Sequence, residues 1–174
     1  MDVGHFYFIS EQFFADFPDE FLMTNHDNIN GAPHDRPYLY AFRDKATGLY
    51  WAIPFSSQVG KFKALYKSKV KRFGKCDTIE FAEVLGFHKA FLIQNMCPIS
   101  DRYIKSEYLR GTRPVNISRD DAFRITSKAK RVLALHRRGT KLIFPDVLQI
   151  EKQLLAQRNS TAPTASQPQG ASLT

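Results

Sequence analysis

Two pairs of apolar runs, each joined by a short turn segment, constrain the fold of this chain more than any other feature. The runs YLYAF and LYWAIPF are separated by RDKATG, whose Gly-containing stretch is typical of a hairpin loop. The runs TIEFAEVL and KAFLIQNM lie on either side of Gly86, Phe87 and His88, which we interpret as a second turn. Strands joined by such short connections run antiparallel. The sequence therefore predicts a single α+β domain with a twisted, mainly antiparallel sheet flanked by helices, and argues against a doubly wound parallel sheet.

Helix signals lie between and after these runs. The first strand, HFYFI, precedes Ser10, which is a typical N-cap for a short helix. Ser56 or Ser57 is expected to cap a basic helix that ends at Gly74. Residues 24–37 are rich in Asn, Asp, Gly and Pro, which predicts a long loop of functional interest. The remaining predicted elements are a short helix from Ser100, a strand at RPVNI, a long helix from Ser118 with Asp121 in its capping box, a strand at KLIF and a last helix from Pro145.

The size and composition of the chain indicate one folded domain. Of its 174 residues, 43% are hydrophobic, which is enough for one sizeable core. We therefore predict a domain over residues 1–158. The C-terminal segment NSTAPTASQPQGASLT has no charged and no aromatic residue, so it buries too little surface to offset the entropy of ordering. Residues 159–174 are predicted to be a disordered tail.

Charge is segregated along the chain. Residues 1–35 contain seven acidic residues and no Lys or Arg, whereas the rest of the chain has all 25 basic residues and ten acidic ones. Two blocks concentrate the positive charge: residues 55–76 have seven cations, residues 127–145 have six, and neither block contains an acid. Such blocks are typical of a protein that binds a polyanion, although a solvated lysine-rich surface also fits this charge pattern.

Cysteine usage and hydropathy exclude several classes of protein. Cys76 and Cys97 are isolated, and neither belongs to a CxxC pair or to a cluster with metal-ligand spacing. We therefore expect reduced, buried thiols, no disulfide, no metal site and no cofactor. The N-terminal sequence MDVGHFYFIS lacks the basic region of a signal peptide, and no stretch reaches the ~18 apolar residues of a membrane span. The prediction is a cytoplasmic protein with no membrane partner.

The strongest candidate binding site is the start of the basic helix. Ser56 and Ser57 lie where free backbone N–H groups and the helix dipole favour an anion, and their hydroxyls add hydrogen-bond donors. Lys61 follows one turn later. This arrangement predicts a phosphate site, but a serine in such a position is also an ordinary helix cap.

Cations and aromatic residues near these serines favour RNA as the polyanion. Lys63, Lys67 and Lys71 follow at four-residue steps, with Arg72 beside the last, and are placed to track a phosphate backbone. Tyr38 and Tyr40 share one face of a predicted strand that Arg36 precedes. Their rings are candidates for base stacking or for the protein core, and the sequence leaves both alternatives open.

No other motif indicates a specific chemistry. The chain has no nucleotide-binding glycine fingerprint and no Gly-x-Ser-x-Gly elbow, so a hydrolase triad lacks support. The histidines are dispersed, and each is a candidate general base that more often has a structural or surface position. They are His5, His26, His34, His88 and His136.

Four segments, FYFIS, YWAIPFSS, IQNMCPI and ITSKAKRVL, together resemble the ToxN/AbiQ/CptN family of type III toxins. The resemblance spans roughly residues 5–155. It implies a Kid/MazF-like fold and a phage-defence endoribonuclease that is held inactive by a small repeat RNA, which folds as a pseudoknot. It further implies metal-independent cleavage through attack of the RNA 2′-hydroxyl, with 2′,3′-cyclic phosphate and 5′-hydroxyl ends, and assembly with the antitoxin RNA into a hetero-oligomeric protein–RNA ring.

The resemblance also implies positions for the functional residues. The hydroxyl pair of the family motif corresponds to Ser56 and Ser57, the basic residue after it to Lys61, and the first-strand tyrosine to Tyr7. Arg36 lies where the family has a basic residue before its second strand. In the family, however, the lysine usually follows the hydroxyl pair more closely than Lys61 follows Ser57.

Three hypotheses for function follow. The first is an endoribonuclease toxin with Ser57, Lys61, Ser56 and Tyr7 in its catalytic site. The second is a non-catalytic RNA-binding module that uses the same surface. The third is a protein-interaction domain whose acidic first 35 residues dock on the basic remainder of another copy. The predicted RNA-binding residues are Arg36, Tyr38, Tyr40, Lys63, Lys67, Lys71 and Arg72.

Overall fold

The computed structural model describes residues 1–23, 26–29 and 32–161, with side chains for all of these except 26–29, 32–34 and 161. The strands are β1 (Phe6–Ile9), β2 (His26–Ile29), β3 (Ala32–Asp35), β4 (Pro37–Arg43), β5 (Tyr50–Ser56), β6 (Glu80–Val84), β7 (Phe87–Phe91), β8 (Cys97–Ile99), β9 (Ile104–Glu107), β10 (Leu109–Arg110) and β11 (Arg113–Pro114). The helices are α1 (Glu11–Asp16), α2 (Val59–Phe73), α3 (Arg119–Arg137) and α4 (Val147–Thr161), and single 3-10 turns lie at Ile93–Asn95 and Asp101–Tyr103.

Seven strands of the described chain form one sheet in the order β6-β7-β5-β4-β1-β9, and β8 also pairs with β5. Every described pairing in this sheet is antiparallel. Both predicted hairpins are present, as β4–β5 and β6–β7. The turn of the second is one residue earlier than predicted, at Leu85 and Gly86, and Phe87 and His88 are paired in β7. The predicted fold class, an α+β domain with a mainly antiparallel sheet, is therefore confirmed.

The two faces of the sheet pack against different helices, because side chains alternate along each strand. On one face, Trp51 and Ile53 of β5 belong to a buried cluster with Ile125, Ala129 and Val132 of α3. On the other face, β5 contributes Ala52 to a second cluster, which includes Phe13 of α1 and Ile150 and Leu154 of α4. Helices thus cover both faces of the sheet at β5, and Ser57, the residue that follows β5, is exposed.

Helix α2 differs from α3 because none of its residues is buried. It contacts the remainder of the protein through a few side chains: the Tyr66 ring lies 5.7 Å from the Phe81 ring of β6, and Lys69 reaches Thr78 and Gln94. Gly74 ends the helix in the left-handed conformation, as predicted, with φ of 75°. Helix α2 is therefore an exposed element whose basic face is accessible to a ligand.

The predicted loop over residues 24–37 was wrong in part. Strands β2 and β3 form a separate antiparallel hairpin there, with His26 opposite Asp35 and Ile29 opposite Ala32. The sequence dipeptide Asn30 and Gly31 between these strands is a common hairpin signal, which the surrounding turn-forming residues masked. Residues 24, 25, 30 and 31 lie outside the described part of the chain.

The predicted strand at KLIF was also wrong, because its backbone hydrogen bonds are used otherwise. The N–H groups of Leu142 and Ile143 both donate to Nδ1 of His136 at 3.3 Å, and the N–H of Phe144 donates to the carbonyl of Gln94. Ile143 is fully buried. The apolar pattern that predicted a strand therefore reflects burial of a connecting segment.

Two further boundaries differ from the sequence analysis. The helix predicted from Ser100 is a single 3-10 turn that leads directly into β9, whose pairing with β1 favours the extended conformation. The long helix α3 does begin after Ser118, whose Oγ accepts a hydrogen bond from the Asp121 N–H at 3.1 Å, so the predicted N-cap is confirmed. The Asp121 carboxylate accepts from the Ser118 hydroxyl at 2.8 Å, which differs from the reciprocal backbone bond of a capping box.

At the C-terminus, α4 continues to Thr161, beyond the predicted domain boundary at residue 158. Residues 162–174 of the predicted tail lie outside the described residues. Within the described part of the chain, none of the helices has the length and apolar character to cross a membrane. Both cysteines are free and buried, as expected.

Candidate functional site

Ser56 is the last residue of β5 and is buried. Its Oγ accepts a hydrogen bond from the Gln58 N–H at 3.1 Å. This bond closes a local turn of the chain between β5 and α2. Helix α2 begins at Val59, and its N-cap residue Gln58 makes no side-chain capping bond. The prediction that Ser56 or Ser57 caps this helix is therefore wrong, because the Ser56 hydroxyl bonds an N–H that precedes the first helical turn.

Ser57 is exposed, and its hydroxyl is held by a lysine from another strand. The Lys89 ammonium donates to Ser57 Oγ at 2.7 Å. Strands β5 and β7 pair with Phe55 opposite Phe91 and Ser56 opposite Ala90, so the antiparallel register brings Lys89 next to Ser57. The structure thus joins the predicted hydroxyl to a cation that the sequence analysis did not identify.

Arg36 lies at the same end of the central strands. It directly precedes β4, is only 7% exposed, and donates from Nη1 to the carbonyl oxygen of Phe55 at 3.3 Å. This contact connects Arg36 to the residue before Ser56. We call Arg36, Ser56, Ser57 and Lys89 the serine cluster.

The serine cluster is electropositive. It contains two cations, and Lys89 forms no ion pair with any side chain that the structure describes. The exposed Ser57 hydroxyl and the Lys89 ammonium are both hydrogen-bond donors to an incoming oxygen anion. Their arrangement suits a phosphate group, whose oxygens accept such charge-assisted hydrogen bonds.

Lys61, the cation predicted to accompany the serines, lies elsewhere on α2. It is exposed, and its ammonium lies 5.7 Å from the centre of the Phe62 ring. Among the hydrogen bonds of the described side chains, none joins Lys61 to Ser56 or Ser57. Lys89 therefore occupies the position next to the hydroxyl that the sequence analysis assigned to Lys61.

The exposed cations of α2 lack acidic partners. Within the set of described side chains, none of them forms an ion pair. We call these residues the helix cations: Lys61, Lys63, Lys67, Lys71 and Arg72. Lys69 also belongs to α2 but is not one of the helix cations, because it is partly buried. Its ammonium donates to Thr78 Oγ1 and Gln94 Oε1 at 2.8 Å each. Burial lowers the pKa of Lys69, and its neutral hydrogen-bond partners anchor α2 to the sheet.

The second basic block, residues 127–145, is different because acids from other segments neutralise much of it. Its ion pairs are Lys128 with Glu80 at 2.8 Å, Arg131 with Asp77 at 3.3 Å, and Arg137 with both Asp44 and Glu151 at 2.6 Å. These contacts connect α3 to β6, to the β4–β5 hairpin and to α4. Of the two blocks that the sequence singled out, the one on α2 is therefore the stronger candidate for a polyanion surface.

The three predicted tyrosines are packed within the sheet. Tyr38 is fully buried and donates its hydroxyl to the Met23 carbonyl at 2.9 Å, and the Tyr40 ring packs edge-on against Tyr7 and Tyr50. Neither ring presents an open face to a base in this conformation, so core packing describes their contacts here. Their assignment to RNA binding stays a prediction.

Tyr7 lies on β1, which is separated from β5 by β4, and pairs with Tyr38. Its hydroxyl accepts a hydrogen bond from the Asp2 N–H at 3.0 Å, and burial raises its pKa. The structure therefore does not bring Tyr7 into contact with the serine cluster, and its predicted catalytic assignment remains untested.

Histidines and metal ligands add little to this site. His5 contacts Glu107 at 2.7 Å, and His136 accepts backbone hydrogen bonds, whereas His88 is exposed on β7 next to Lys89. The side chains of His26 and His34 lie outside the described set. Among the described residues, no group of His, Cys, Asp and Glu is arranged to hold a metal ion.

Comparisons with known proteins place the fold. No family model matches the sequence, and no curated protein matches it either. Among solved structures, the chain is similar to AbiQ, a lactococcal anti-phage endoribonuclease belonging to the type III toxin-antitoxin system. The TM-score is 0.65 at 13% sequence identity, and the match covers 92% of this chain and 100% of AbiQ. The family resemblance inferred from four short sequence segments thus agrees with the structural comparison, and this chain has the fold of the AbiQ endoribonuclease.

Proposed function

We propose that this protein is an endoribonuclease and the toxin of a type III toxin-antitoxin system. The observation that carries the proposal is the 2.7 Å contact between the Lys89 ammonium and the exposed Ser57 hydroxyl, near Arg36 and near the helix cations, which form no ion pair with a described side chain. This donor set suits a phosphodiester, and it occurs on the fold of a protein described as an endoribonuclease.

The proposed reaction uses the substrate's own 2′-hydroxyl as the nucleophile. The 2′-oxygen loses its proton and attacks the adjacent phosphorus, and the bond from phosphorus to the 5′-oxygen breaks. The leaving 5′-oxygen takes up a proton. The products are a 2′,3′-cyclic phosphate and a 5′-hydroxyl end, and no water or metal ion is required for this step.

In this scheme the serine cluster binds the scissile phosphate. The Ser57 hydroxyl and the Lys89 ammonium donate hydrogen bonds to the non-bridging oxygens, on which negative charge increases in the transition state. A hydrogen-bond donor that is already fixed at such a position typically lowers the activation barrier by about 2.7–4 kcal/mol. Lys89 is fixed on a strand rather than on an exposed helix, so it loses little freedom when it engages the phosphate.

The candidates for proton transfer are Tyr7 and the histidines. Burial raises the pKa of Tyr7 and outweighs the hydrogen bond from the Asp2 N–H, which lowers it, so the phenol is neutral and a poor general base at neutral pH. Tyr7 is therefore better suited to position β1 against β4 than to remove the 2′-hydroxyl proton. His88 lies next to Lys89 in sequence and is the histidine of the described side chains closest along the chain to the serine cluster.

The helix cations provide the proposed RNA surface. They flank the serine cluster because α2 starts two residues after Ser57, and they lack intramolecular acidic partners in the described structure. A small repeat RNA that binds this surface would block the approach of substrate. The inhibition by antitoxin RNA and the assembly into a protein–RNA ring are parts of this proposal.

A non-catalytic RNA-binding module is the second candidate. It is favoured by one observation, which is that none of the described carboxylates or histidines forms a hydrogen bond with Ser57. Such a protein would use the same cations to sequester RNA without cutting it.

The third hypothesis, docking of the acidic segment onto another copy, loses support because several of its acids are bonded within the chain. Asp35 pairs with Lys105 at 2.6 Å, Asp16 accepts from the Tyr103 hydroxyl at 2.7 Å, and Asp19 accepts from the Asp146 N–H at 2.8 Å.

Expression in a bacterial host tests the proposed function. We expect the wild-type protein to arrest growth, and both Ser57→Ala and Lys89→Met to relieve the arrest while each purified variant retains RNA binding in a mobility-shift assay. Lys45→Met is the control, because Lys45 is an exposed lysine of the β4–β5 turn outside the serine cluster. Arrest that persists in both site variants would exclude this site, and RNA binding without arrest by the wild type would favour the binding module.

A further inference from the structure

The tip of the β6–β7 hairpin exposes apolar side chains in an unfavourable backbone conformation. The two turn residues, Leu85 and Gly86, both have positive φ, at 53° and 83°. Two-residue hairpin turns with two positive φ angles strongly prefer Asn or Asp followed by Gly. Leu85 is the only non-glycine residue with positive φ in the described part of the chain, and it is 38% exposed.

Phe87 follows the turn and is 68% exposed. An exposed phenylalanine gains little from the hydrophobic effect in the free protein, and a leucine in the left-handed region is strained. Neither residue is explained by the stability of the hairpin. Strained and exposed positions of this type are often maintained by a ligand-binding function.

The position of Phe87 indicates what such a ligand is. Residues 87 and 89 lie on the same side of β7, because side chains alternate along a strand. The Lys89 ammonium lies 5.9 Å from the centre of the Phe87 ring and 2.7 Å from Ser57 Oγ. The aromatic ring, the ammonium and the hydroxyl therefore form one continuous surface at the serine cluster.

This surface combines an open aromatic face with a site for an anion. A nucleotide has the complementary chemistry, because a flat base and a charged phosphate are joined at a fixed separation. Unpaired bases in single-stranded RNA stack on exposed aromatic side chains, whereas paired bases in a duplex do not offer their faces.

We propose that Phe87, supported by Leu85, is a stacking platform for one unpaired base of the RNA, next to the phosphate bound by Ser57 and Lys89. The proposal rests on the proposed function and deepens it by naming Phe87 as the residue that holds an unpaired base next to the bound phosphate. Because every base has a π-face, the platform adds affinity at this position with little preference among bases.

Binding to a non-cleavable RNA tests the platform separately from catalysis. The probe is a single-stranded RNA decamer with 2′-O-methyl ribose at every position, which removes the nucleophile, and with 2-aminopurine at one position, which is moved along the decamer. We expect 2-aminopurine fluorescence to be quenched at one position by the wild-type protein. Phe87→Ala is expected to remove this quenching and to weaken binding about 5- to 150-fold, the effect of losing one stacked base.

Matched variants separate stacking from other effects. Phe87→Trp is expected to restore binding, because it keeps a flat ring. Phe123→Ala is the control, because Phe123 is 75% exposed on α3, away from the serine cluster. Leu85→Asn is expected to raise the melting temperature, since Asn tolerates positive φ, and at the same time to weaken RNA binding.

The outcomes also distinguish this proposal from the proposed function. If the wild type binds the decamer with quenching that depends on Phe87 but does not cut RNA, the platform is supported and the nuclease proposal fails. If the wild type cuts RNA, and Phe87→Ala and Leu85→Asn both bind the decamer as the wild type does, the platform is wrong. A change in self-association of Phe87→Ala without any change in RNA binding would also overturn it, in favour of a protein contact.

Discussion

Lys89 is the residue on which the account depends most. Its ammonium is held 2.7 Å from the Ser57 hydroxyl, and no described carboxylate forms an ion pair with it. Removing this charge should leave the fold intact, because the Lys89 side chain is only half-buried in the middle of β7.

We therefore predict that Lys89→Met lowers the rate of RNA cleavage about 10²- to 10³-fold, as for the loss of one fixed donor in an oxyanion site. Single-turnover cleavage of an RNA oligonucleotide measures this effect, and the melting temperature checks the fold. Lys61→Met should have a much smaller effect on the same rate. The reverse ranking of the two variants would restore Lys61 to the position that the sequence analysis gave it.

Three of the four residues of the serine cluster could be selected from the sequence. Arg36, Ser56 and Ser57 do lie together, and family resemblance was sufficient to select them. Lys89 was missed because it is 32 residues from Ser57, and only the pairing of β7 with β5 brings the two side chains together. Registers between distant strands depend on packing of the whole sheet, which no local pattern of residues specifies.

At the level of elements, the prediction for α2 concerns RNA affinity. The triple variant Lys63→Glu, Lys67→Glu and Lys71→Glu removes three exposed helix cations that have no ion pair in the described structure. We expect weaker binding to single-stranded RNA and a shallower dependence on salt, by about 0.7 in the slope of log affinity against log salt for each lost phosphate contact. Titrations at several salt concentrations measure this slope.

The control for the α2 variant has the same change of net charge. It replaces Lys45, Lys141 and Lys152 by Glu, and these exposed lysines lie outside α2. Equal losses of affinity in the two triple variants would show that total charge, rather than the surface of α2, determines binding.

The connection from α3 to α4 provides a second prediction at this scale. His136 Nδ1 accepts hydrogen bonds from the Leu142 and Ile143 N–H groups, so the ring must be unprotonated there. Burial lowers the pKa of His136 below its ordinary value of 6.5, an effect that Lys141 reinforces and Asp146 opposes. Because the unfolded chain binds this proton more readily, the contribution of His136 to stability is complete above pH 6.5 and decreases as the pH falls through the lowered pKa.

The variant His136→Gln cannot titrate, so its free energy of unfolding should change less than that of the wild type as the pH falls below 6.5. Urea unfolding at a series of pH values measures the difference. His88→Gln is the control for the loss of one histidine, because His88 is exposed on β7 and lies outside this connection. Parallel curves for the wild type and His136→Gln would contradict the assigned protonation state.

Elements with strong local signals were predicted well. The β4–β5 and β6–β7 hairpins, the Ser118 cap of α3 and the Gly74 end of α2 follow from short sequence patterns that act through neighbouring residues. The segment at residues 141–144 was predicted wrongly as a strand. The burial of Ile143 gives the same apolar pattern as a strand, but the backbone N–H of Ile143 bonds to the His136 ring.

For the whole molecule, the proposed function rests on a sheet that helices cover on both faces at β5 and on the exposed Ser57 that follows this strand. The clusters around α3 and around α1 and α4 leave the serine cluster at this end of β5, and α2 extends the positive surface from it. The fold class was predictable because antiparallel hairpins restrict the possible architectures. The position of the site was only partly predictable, since it is completed by strands that are distant in sequence.

The measurement that tests the central claim most directly is the incubation of purified protein with total RNA in EDTA, followed by mapping of the new RNA ends. We expect discrete 5′-hydroxyl ends from the wild-type protein, with cleavage strongly reduced in Ser57→Ala and in Lys89→Met. Intact RNA after incubation with a wild-type protein that still binds RNA, or ends that carry a 5′-phosphate, would contradict this claim.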